Sequence, residues 1–299
     1  MRHVRLYQAV DAVARRQSIR QAAAGLAISP SALNRQILSL EEELGVELFE
    51  RLPRGVRLST AGEVYLRSFR AHLADLERAQ AQIADLSGMR VGAVRFGVAP
   101  ELASHFAPRV AAAYRQAYPQ VDLRIIPVSC ENAPEALRGF DVDVIAAVNP
   151  IMDETVETIH AEEVSIACVG GDLGQGAEEI RLSDLHDRSL IAHTEASGLR
   201  RLVDAAFAAR GTRPRYAVVS DRYEPEMLRA DASMTQMLVS PDADRSAAQR
   251  DGLALRAMRN GDAPTAFAKV LRLRARKLPV ASDKFAERVA AALSAEAVA

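Results

Sequence analysis

The chain of 299 residues is short of cysteine, of long apolar runs and of net charge, and each shortage excludes something. Two cysteines, Cys130 and Cys168, close one bridge at most, so no disulfide framework of the secreted kind is available. The longest apolar runs, such as Val144-Ile145-Ala146-Ala147-Val148, fall far short of the roughly 20 residues that cross a bilayer. Arg2, Arg5, Arg15 and Arg16 interrupt any apolar stretch of a signal peptide. These shortages predict a cytoplasmic protein with no membrane segment. Signatures of catalysis are missing too: there is no nucleophile elbow, phosphate loop, dinucleotide fingerprint or metal-spaced His/Cys cluster. The expectation is therefore no catalytic residues, no cofactor and no metal.

What is present suits a folded chain of two or three domains. Hydrophobic residues make up 49%, enough for a sizeable core. The net charge of −1 hides segregation. Over residues 1–58 the cations are Arg2, Arg5, Arg15, Arg16, Arg20, Arg35, Arg51, Arg54 and Arg57, while the acids gather at Glu41, Glu42, Glu43, Glu47 and Glu50. A segregated charge of this kind leaves room for a nucleic-acid face that the total conceals.

Helical spacing of Leu6, Val10 and Val13 predicts a helix from Val4 to about Arg15. Ser18, with Gln21 three residues on, opens a second helix whose body is small, Ala22-Ala23-Ala24-Gly25, so that another helix can approach closely. Ser29-Pro30 reads as an N-cap followed by proline at the first helical position. The third helix then runs to about Leu44 with Leu33, Ile37, Leu40 and Leu44 as its buried stripe. This is a helix-turn-helix, and its outward face begins Ser31, Asn34, Arg35. Asn can pair with adenine, Arg with guanine, and Ser can hold a phosphate at the helix N-terminus. A solvated helix surface would look the same on these residues alone. Leu48-Phe49-Glu50-Arg51 and Val56-Arg57-Leu58, around the turn Pro53-Arg54-Gly55, add a basic β-wing that brings Arg51, Arg54 and Arg57 to phosphates or the minor groove.

Ala22-Ala23, Ser29, Ala32, Arg35-Gln36-Ile37, Leu40-Glu41, Leu44-Gly45, Leu48-Phe49, Arg51 and Ala61-Gly62 together resemble the LysR-type transcriptional regulators. The resemblance implies a sequence-specific DNA-binding regulator, with Ser29, Pro30, Ser31, Asn34, Arg35, Arg51 and Arg54 as its DNA-binding residues. Many members have Gln-Pro where this chain has Pro30-Ser31, and Ser where it has Asn34. These departures fall at base-reading positions.

From Thr60, with Glu63 as capping partner, a long helix runs to Leu86-Ser87-Gly88. Leu66, Phe69, Leu73, Leu76, Gln80 and Ile83 form a heptad seam along it, narrow enough to suit a partner helix rather than a core face. The family's equivalent helix pairs two subunits, so the resemblance implies a homodimer, or a tetramer built from two, on a pseudo-palindromic operator. Gly88 to Arg90 reads as the hinge.

The rest alternates strands and helices. Val91–Val98, Pro100–Tyr118, Val121–Val128, Pro134–Arg138 and Asp143–Val148 predict a β-α-β-α-β run. Val164–Val169, Ser189–Ala192, the helix Ser197–Arg210 and Tyr216–Val219 begin a second set. Ala266–Leu273 is a return strand and Asp283–Leu293 a closing helix. The layout resembles the family's periplasmic-binding-protein-like effector domain. The fold class expected is thus multidomain α/β: a winged helix-turn-helix over 1–58, a linker helix over 59–88, and a two-subdomain effector domain over 91–299. Subdomain I takes about 91–160 and 267–299, subdomain II about 161–266. A small-molecule effector is expected between them, lined by Pro100, Glu101, Ser129, Cys130, His193, Thr194, Ser197 and Asp221. RNA polymerase is a further partner under this reading. The stretch from Arg229 to Pro241 lacks the glycines many members have there, and Asp242, Asp244, Arg245 and Arg250 beyond it read as solvated. Two other readings stay open: a regulator whose C-terminal domain serves only assembly, and an enzyme using Cys130, His193 and Asp221 as nucleophile, base and orienter.

Overall fold

The computed structural model describes residues 2–86, 92–173, 179–262, 264–274 and 276–297. They divide into two compact units, Met1–Glu77 and Arg78–Ala299. The expected hinge at Gly88 to Arg90 and the first residue of the expected strand, Val91, lie outside the described residues.

In the first unit, α1 (Arg2–Arg16), α2 (Ile19–Gly25) and α3 (Pro30–Leu44) precede a hairpin of β1 (Phe49–Leu52) and β2 (Gly55–Leu58), and α4 (Thr60–Leu86) follows, beginning in this unit and ending in the second. Ser18 caps α2 by accepting from Gln21 N at 3.3 Å. Ala22 and Ala23, fully buried, let the helices close around Val10, Val13, Leu33, Ile37 and Leu40. Gly45, at φ 69°, ends α3 in the left-handed conformation that costs glycine least. The cap of α4 sits one residue earlier than the capping box at Thr60: Ser59 Oγ accepts from Gly62 N at 3.0 Å.

The seam of α4 is used in two ways. Leu66 is buried, and Phe69 and Leu73 pack with it against the core of their own unit. Phe69 stacks on Tyr7 with ring centroids 3.9 Å apart. Leu76, Gln80 and Ile83 are exposed. Of the six residues expected to face a partner, the first three pack against the core of their own unit, Phe69 on Tyr7 of α1. No helix among the described residues is long and apolar enough to cross a membrane.

The second unit holds two sheets. Its elements in chain order are β3 (Gly92–Val98), α5 (Phe106–Ala117), β4 (Val121–Pro127), α6 (Ala133–Arg138), β5 (Val144–Val148), β6 (Val156–Val164), β7 (Ile166–Gly170), β8 (Glu179–Ile180), β9 (Ser189–Ala192), α7 (Gly198–Ala208), β10 (Tyr216–Val219), α8 (Pro225–Ala230), β11 (Met234–Val239), α9 (Arg245–Arg250), β12 (Ala254–Met258), β13 (Ala266–Leu273) and α10 (Val280–Ala297). The first sheet has the order β4-β3-β5-β13-β6 and the second β10-β9-β11-β7-β12-β8. β3 pairs parallel with β4 and β5, while β13 returns antiparallel between β5 and β6. The chain crosses between sheets at Ser165 and again before Ala266, which pairs with Val164, so both crossings lie side by side. α10 closes the first subdomain with Phe285, Val289 and Leu293 fully buried, and Phe285 meets Phe96 edge-on at 4.9 Å.

The stretch without glycine contains β11, placed centrally between β9 and β7. Two expectations change here. The single helix over Pro100–Tyr118 is a short helical turn, Pro100–Leu102, followed by α5. Asp242 is buried to 1% exposure rather than solvated, for a reason given below.

The strongest polar tie in the first subdomain is Asp143, 1% exposed. It accepts from Arg95 N at 2.9 Å, Arg95 Nη2 at 3.0 Å, Arg276 Nη2 at 2.8 Å and Ser282 Oγ at 3.2 Å, joining β3, the start of β5 and the entry to α10. Removing one partner of a buried pair strands the other charge. Asp143→Ala should therefore destabilise the second unit by about 3–5 kcal/mol, measured by urea denaturation against the unchanged chain.

Candidate functional site

Two sites follow from the architecture, one on each unit. On the first, α3 begins with Ser29 Oγ accepting from Ala32 N at 3.2 Å, with Pro30 at the first helical position. Burial of Leu33, Ile37 and Leu40 fixes the helix's rotation and leaves Ser31 and Arg35 exposed. Asn34 is half-buried, and its Oδ1 accepts from Arg51 Nη2 on β1 at 2.9 Å. The carbonyl that bidentate adenine pairing would use is thus engaged by the wing in the free protein.

The wing is held from below through backbone. Val56 N donates to Gln17 O at 3.0 Å, and a Cβ on Gly55 (φ 114°) would lie 2.4 Å from that same oxygen. Glu41 Oε1, on α3, accepts from Leu48 N at 2.7 Å and Phe49 N at 3.1 Å. Sequence reasoning left Glu41 in an acidic cluster, and nothing local marks it as the acceptor for the start of the wing. Arg57 pairs with Glu50 across the hairpin at 2.7 Å, so the wing's exposed cations outside that pair are Arg51 and Arg54.

On the second unit, the loops after strands converge on a buried acid. Glu101 is 1% exposed. Its Oε1 accepts from Val148 N at 3.0 Å and Cys130 Sγ at 3.2 Å, and its Oε2 accepts from Ser197 Oγ at 2.8 Å. Ser197 is the N-cap of α7 and also accepts from Arg200 N. Cys130 N donates to Ala196 O at 3.1 Å. Glu101, Cys130 and Ser197 therefore stitch the subdomains together instead of lining empty space. The close approach requires Gly198, where a Cβ would lie 1.7 Å from Val148 O.

The remaining candidates lie nearer solvent. Pro100 and Ser129 are half-buried, and Ser129 Oγ accepts from Asn132 N. Asp221 accepts from Thr194 N at 2.9 Å and Thr194 Oγ1 at 3.1 Å, and the neighbouring His193 ring together with these bonds holds its carboxyl below the usual range. His193 is buried, with Nδ1 3.6 Å from Asp221 Oδ1, an ion-pair distance rather than a hydrogen bond, and neither ring nitrogen has a hydrogen-bond partner. A cavity of about 10 Å³ beside it, bordered by Ile191, Leu199, Val203, Tyr216 and Met237, has room for a single water. The structure does not assemble Cys130, His193 and Asp221 as a triad. The thiol's partners are Glu101 and the Val148 carbonyl, and burial with the Glu101 charge pushes it far up, away from the reactive thiolate.

Asp242, which the sequence pattern placed in solvent, caps the other subdomain. Its Oδ1 accepts from His105 N and Phe106 N at 2.7 Å each, and its Oδ2 from Ser104 N at 3.3 Å, at the start of α5. Only the fold brings position 242 to position 105.

Residues 4–63 match the family model described as bacterial regulatory helix-turn-helix protein, lysR family, and residues 87–294 match the LysR substrate binding domain. The RuBisCO operon transcriptional regulator of Allochromatium vinosum is 31% identical over 227 residues, covering 74% of each chain. The regulator CbbR of Rhodospirillum rubrum is 29% identical over 213 residues, 71% of each chain. Among solved structures, full-length CbnR complexed with its target DNA aligns with a TM-score of 0.63 at 18% identity, over 96% of this chain and 99% of that one. Full-length OxyR of Pseudomonas aeruginosa, in a cysteine-to-aspartate variant, gives 0.66 at 19% identity, over 95% and 96%. At these identities the structural likeness is one of fold.

Two outcomes are expected from this geometry. Gly198→Ala should force α7 away from β5 and cost about 1–3 kcal/mol or more, read as a lower melting temperature. In a double-mutant cycle on DNA affinity, Asn34→Ala and Arg51→Ala should be non-additive by about 0.5–3 kcal/mol, since each positions the other.

Proposed function

The chain belongs to the LysR family of DNA-binding transcription regulators, and from that premise we infer that it acts in the cytoplasm as a homodimer, or a dimer of dimers, on a pseudo-palindromic operator. α3 enters the major groove with Ser31, Asn34 and Arg35 toward the bases, and Ser29 and Pro30 set the start of that helix. Arg51 and Arg54 meet the backbone or the minor groove. The observation that carries this reading is the rotation of α3: its apolar stripe is buried, so Ser31 and Arg35 face outward beside a wing arginine already bonded to Asn34. The exposed half of the α4 seam, Leu76, Gln80 and Ile83, supplies the contact to the second subunit.

In the second unit, the small-molecule site is the mouth of the cleft between subdomains, bordered by Pro100, Ser129, Thr194 and Asp221. Glu101, Cys130 and Ser197 form its floor, with His193 buried to one side. An effector there changes how the subdomains or subunits are set, and through them the DNA bend or the contact with RNA polymerase. Cys130, the nucleophile of the enzyme reading, is buried and hydrogen-bonded to a carboxylate, which supports the regulator over the enzyme.

The test is a mobility shift on the intergenic DNA upstream of the protein's own gene, across a salt series. Specific binding that weakens with salt, over a protected inverted repeat, is expected. Arg35→Ala should cost about 1–3 kcal/mol and relax preference at one base position. Unchanged affinity would remove Arg35 from the interface.

A further inference from the structure

The floor of the cleft is built like a carboxylate-binding site, and a carboxylate already fills it. Its donors come from three separate segments: the end of β5 (Val148 N), the loop after β4 (Cys130 Sγ) and the cap of α7 (Ser197 Oγ). Two converge on one oxygen of Glu101 and the third takes the other, so both oxygens of a planar carboxylate are recognised. The positive end of α7, an 11-residue helix, faces the same group, and Gly198 lets the carboxylate approach to 3.2 Å of the position a Cβ would take. Arg201, on the first turn of α7, donates through Nη2 to Asn149 O just beyond β5. Its Nη1 is buried with no hydrogen-bond partner.

Asp242 makes the contrast clear. Its partners are three consecutive backbone N–H groups at the head of α5, an ordinary helix cap closed to anything else. The partners of Glu101 are spread over both subdomains, as they are for a bound ligand.

We propose that Glu101 is a built-in ligand: its carboxylate occupies the anion seat at the floor of the effector cleft, closing the domain without any soluble effector. This rests on reading that cleft as the effector site. An effector carrying a carboxylate then gains the seat only by displacing Glu101, whereas a neutral one binds at the mouth and leaves the latch in place.

The test is chemical rescue. Glu101→Ala removes a CH₂COO⁻ group, which acetate replaces. The full-length variant should melt roughly 5 °C or more below the unchanged chain. Sodium acetate should raise that melting temperature saturably, while sodium chloride at equal ionic strength does not, and the unchanged chain should respond to neither. Alkylation by iodoacetamide, mapped to the Cys130 peptide, should be fast in Glu101→Ala, slow with acetate, and absent in the unchanged chain. A variant that melts normally, or one whose loss acetate leaves untouched, would overturn the proposal.

Should Glu101→Ala fail to fold in either salt, Glu101→Gln decides. The carboxamide keeps an acceptor for Val148 N and Cys130 Sγ but loses the charge and obliges Ser197 Oγ to accept where it now donates, so a lower melting temperature with Cys130 alkylated supports a seat built for a carboxylate, and a melting temperature equal to the unchanged chain's overturns it. The underlying reading fails separately. If metabolites shift the melting of the unchanged chain while acetate does nothing for Glu101→Ala, the effector site stands and the built-in ligand does not. If acetate rescues Glu101→Ala while no metabolite shifts the unchanged chain, the latch stands and the effector is lost.

Discussion

The arrangement of the second unit depends on two carboxylates buried across the line between its subdomains. Glu101, from the turn after β3, reaches the cap of α7, and Asp242, from the turn after β11, reaches the head of α5. Each subdomain thus supplies an acid to the first helix of the other. Removing such a group from water is costly, and here it is offset by hydrogen-bond donors and the positive ends of helices. Among the described residues, neither acid is in a salt bridge. All three donors to Asp242, and Ser197 Oγ among the donors to Glu101, come from the opposite subdomain, so part of the compensation is present only while the two subdomains are together. Gly198 is part of the same constraint, since any side chain there would meet the Val148 carbonyl before α7 reached Glu101.

The first unit solves a comparable problem with backbone contacts. A short wing of β1 and β2 has no core of its own, so it is fixed by what lies beneath it: Gln17 O takes Val56 N, Glu41 takes Leu48 N and Phe49 N, and Leu48 O takes Ser59 N. Gly55 and Gly62 stand where those approaches leave no space for a Cβ. With Glu41 turned to the wing's backbone and Glu50 paired with Arg57, the acids of the cluster that lie near the interface are engaged. The exposed basic face keeps Arg35, Arg51 and Arg54. The Asn34–Arg51 bond links α3 to the wing, so the two elements present one continuous surface.

Local pattern made much of this readable. Caps at Ser18 and Ser29 and the buried Leu33, Ile37 and Leu40 of α3 are fixed by neighbours within one helical turn, and their residues name them directly, whereas Leu44, expected in the same stripe, is exposed. The alternating strands of the effector domain were visible where burial is complete, as in β5 and β7, both buried along their length. β6 and β12 were missed because they mix charged and apolar residues at edge or half-exposed places. The seam of α4 was visible as a period but not as a division of labour, because period alone does not say whether α1 or a second subunit covers Leu66, Phe69 and Leu73.

The sequence by itself determined the helix-turn-helix and its wing, the rotation of α3 that exposes Ser31 and Arg35, the family, and the two-sheet plan behind them. All of these are written in contacts between residues a few positions apart, or in a dense run of signature residues. Tertiary structure alone decided what the acids do. Glu101 and Asp242 carry the same charge as the solvated carboxylates around them, and nothing adjacent in the chain marks them as buried. Their partners lie 96 residues away at Ser197 and 136 away at Phe106, and only the packed sheets bring those helix ends within hydrogen-bond reach.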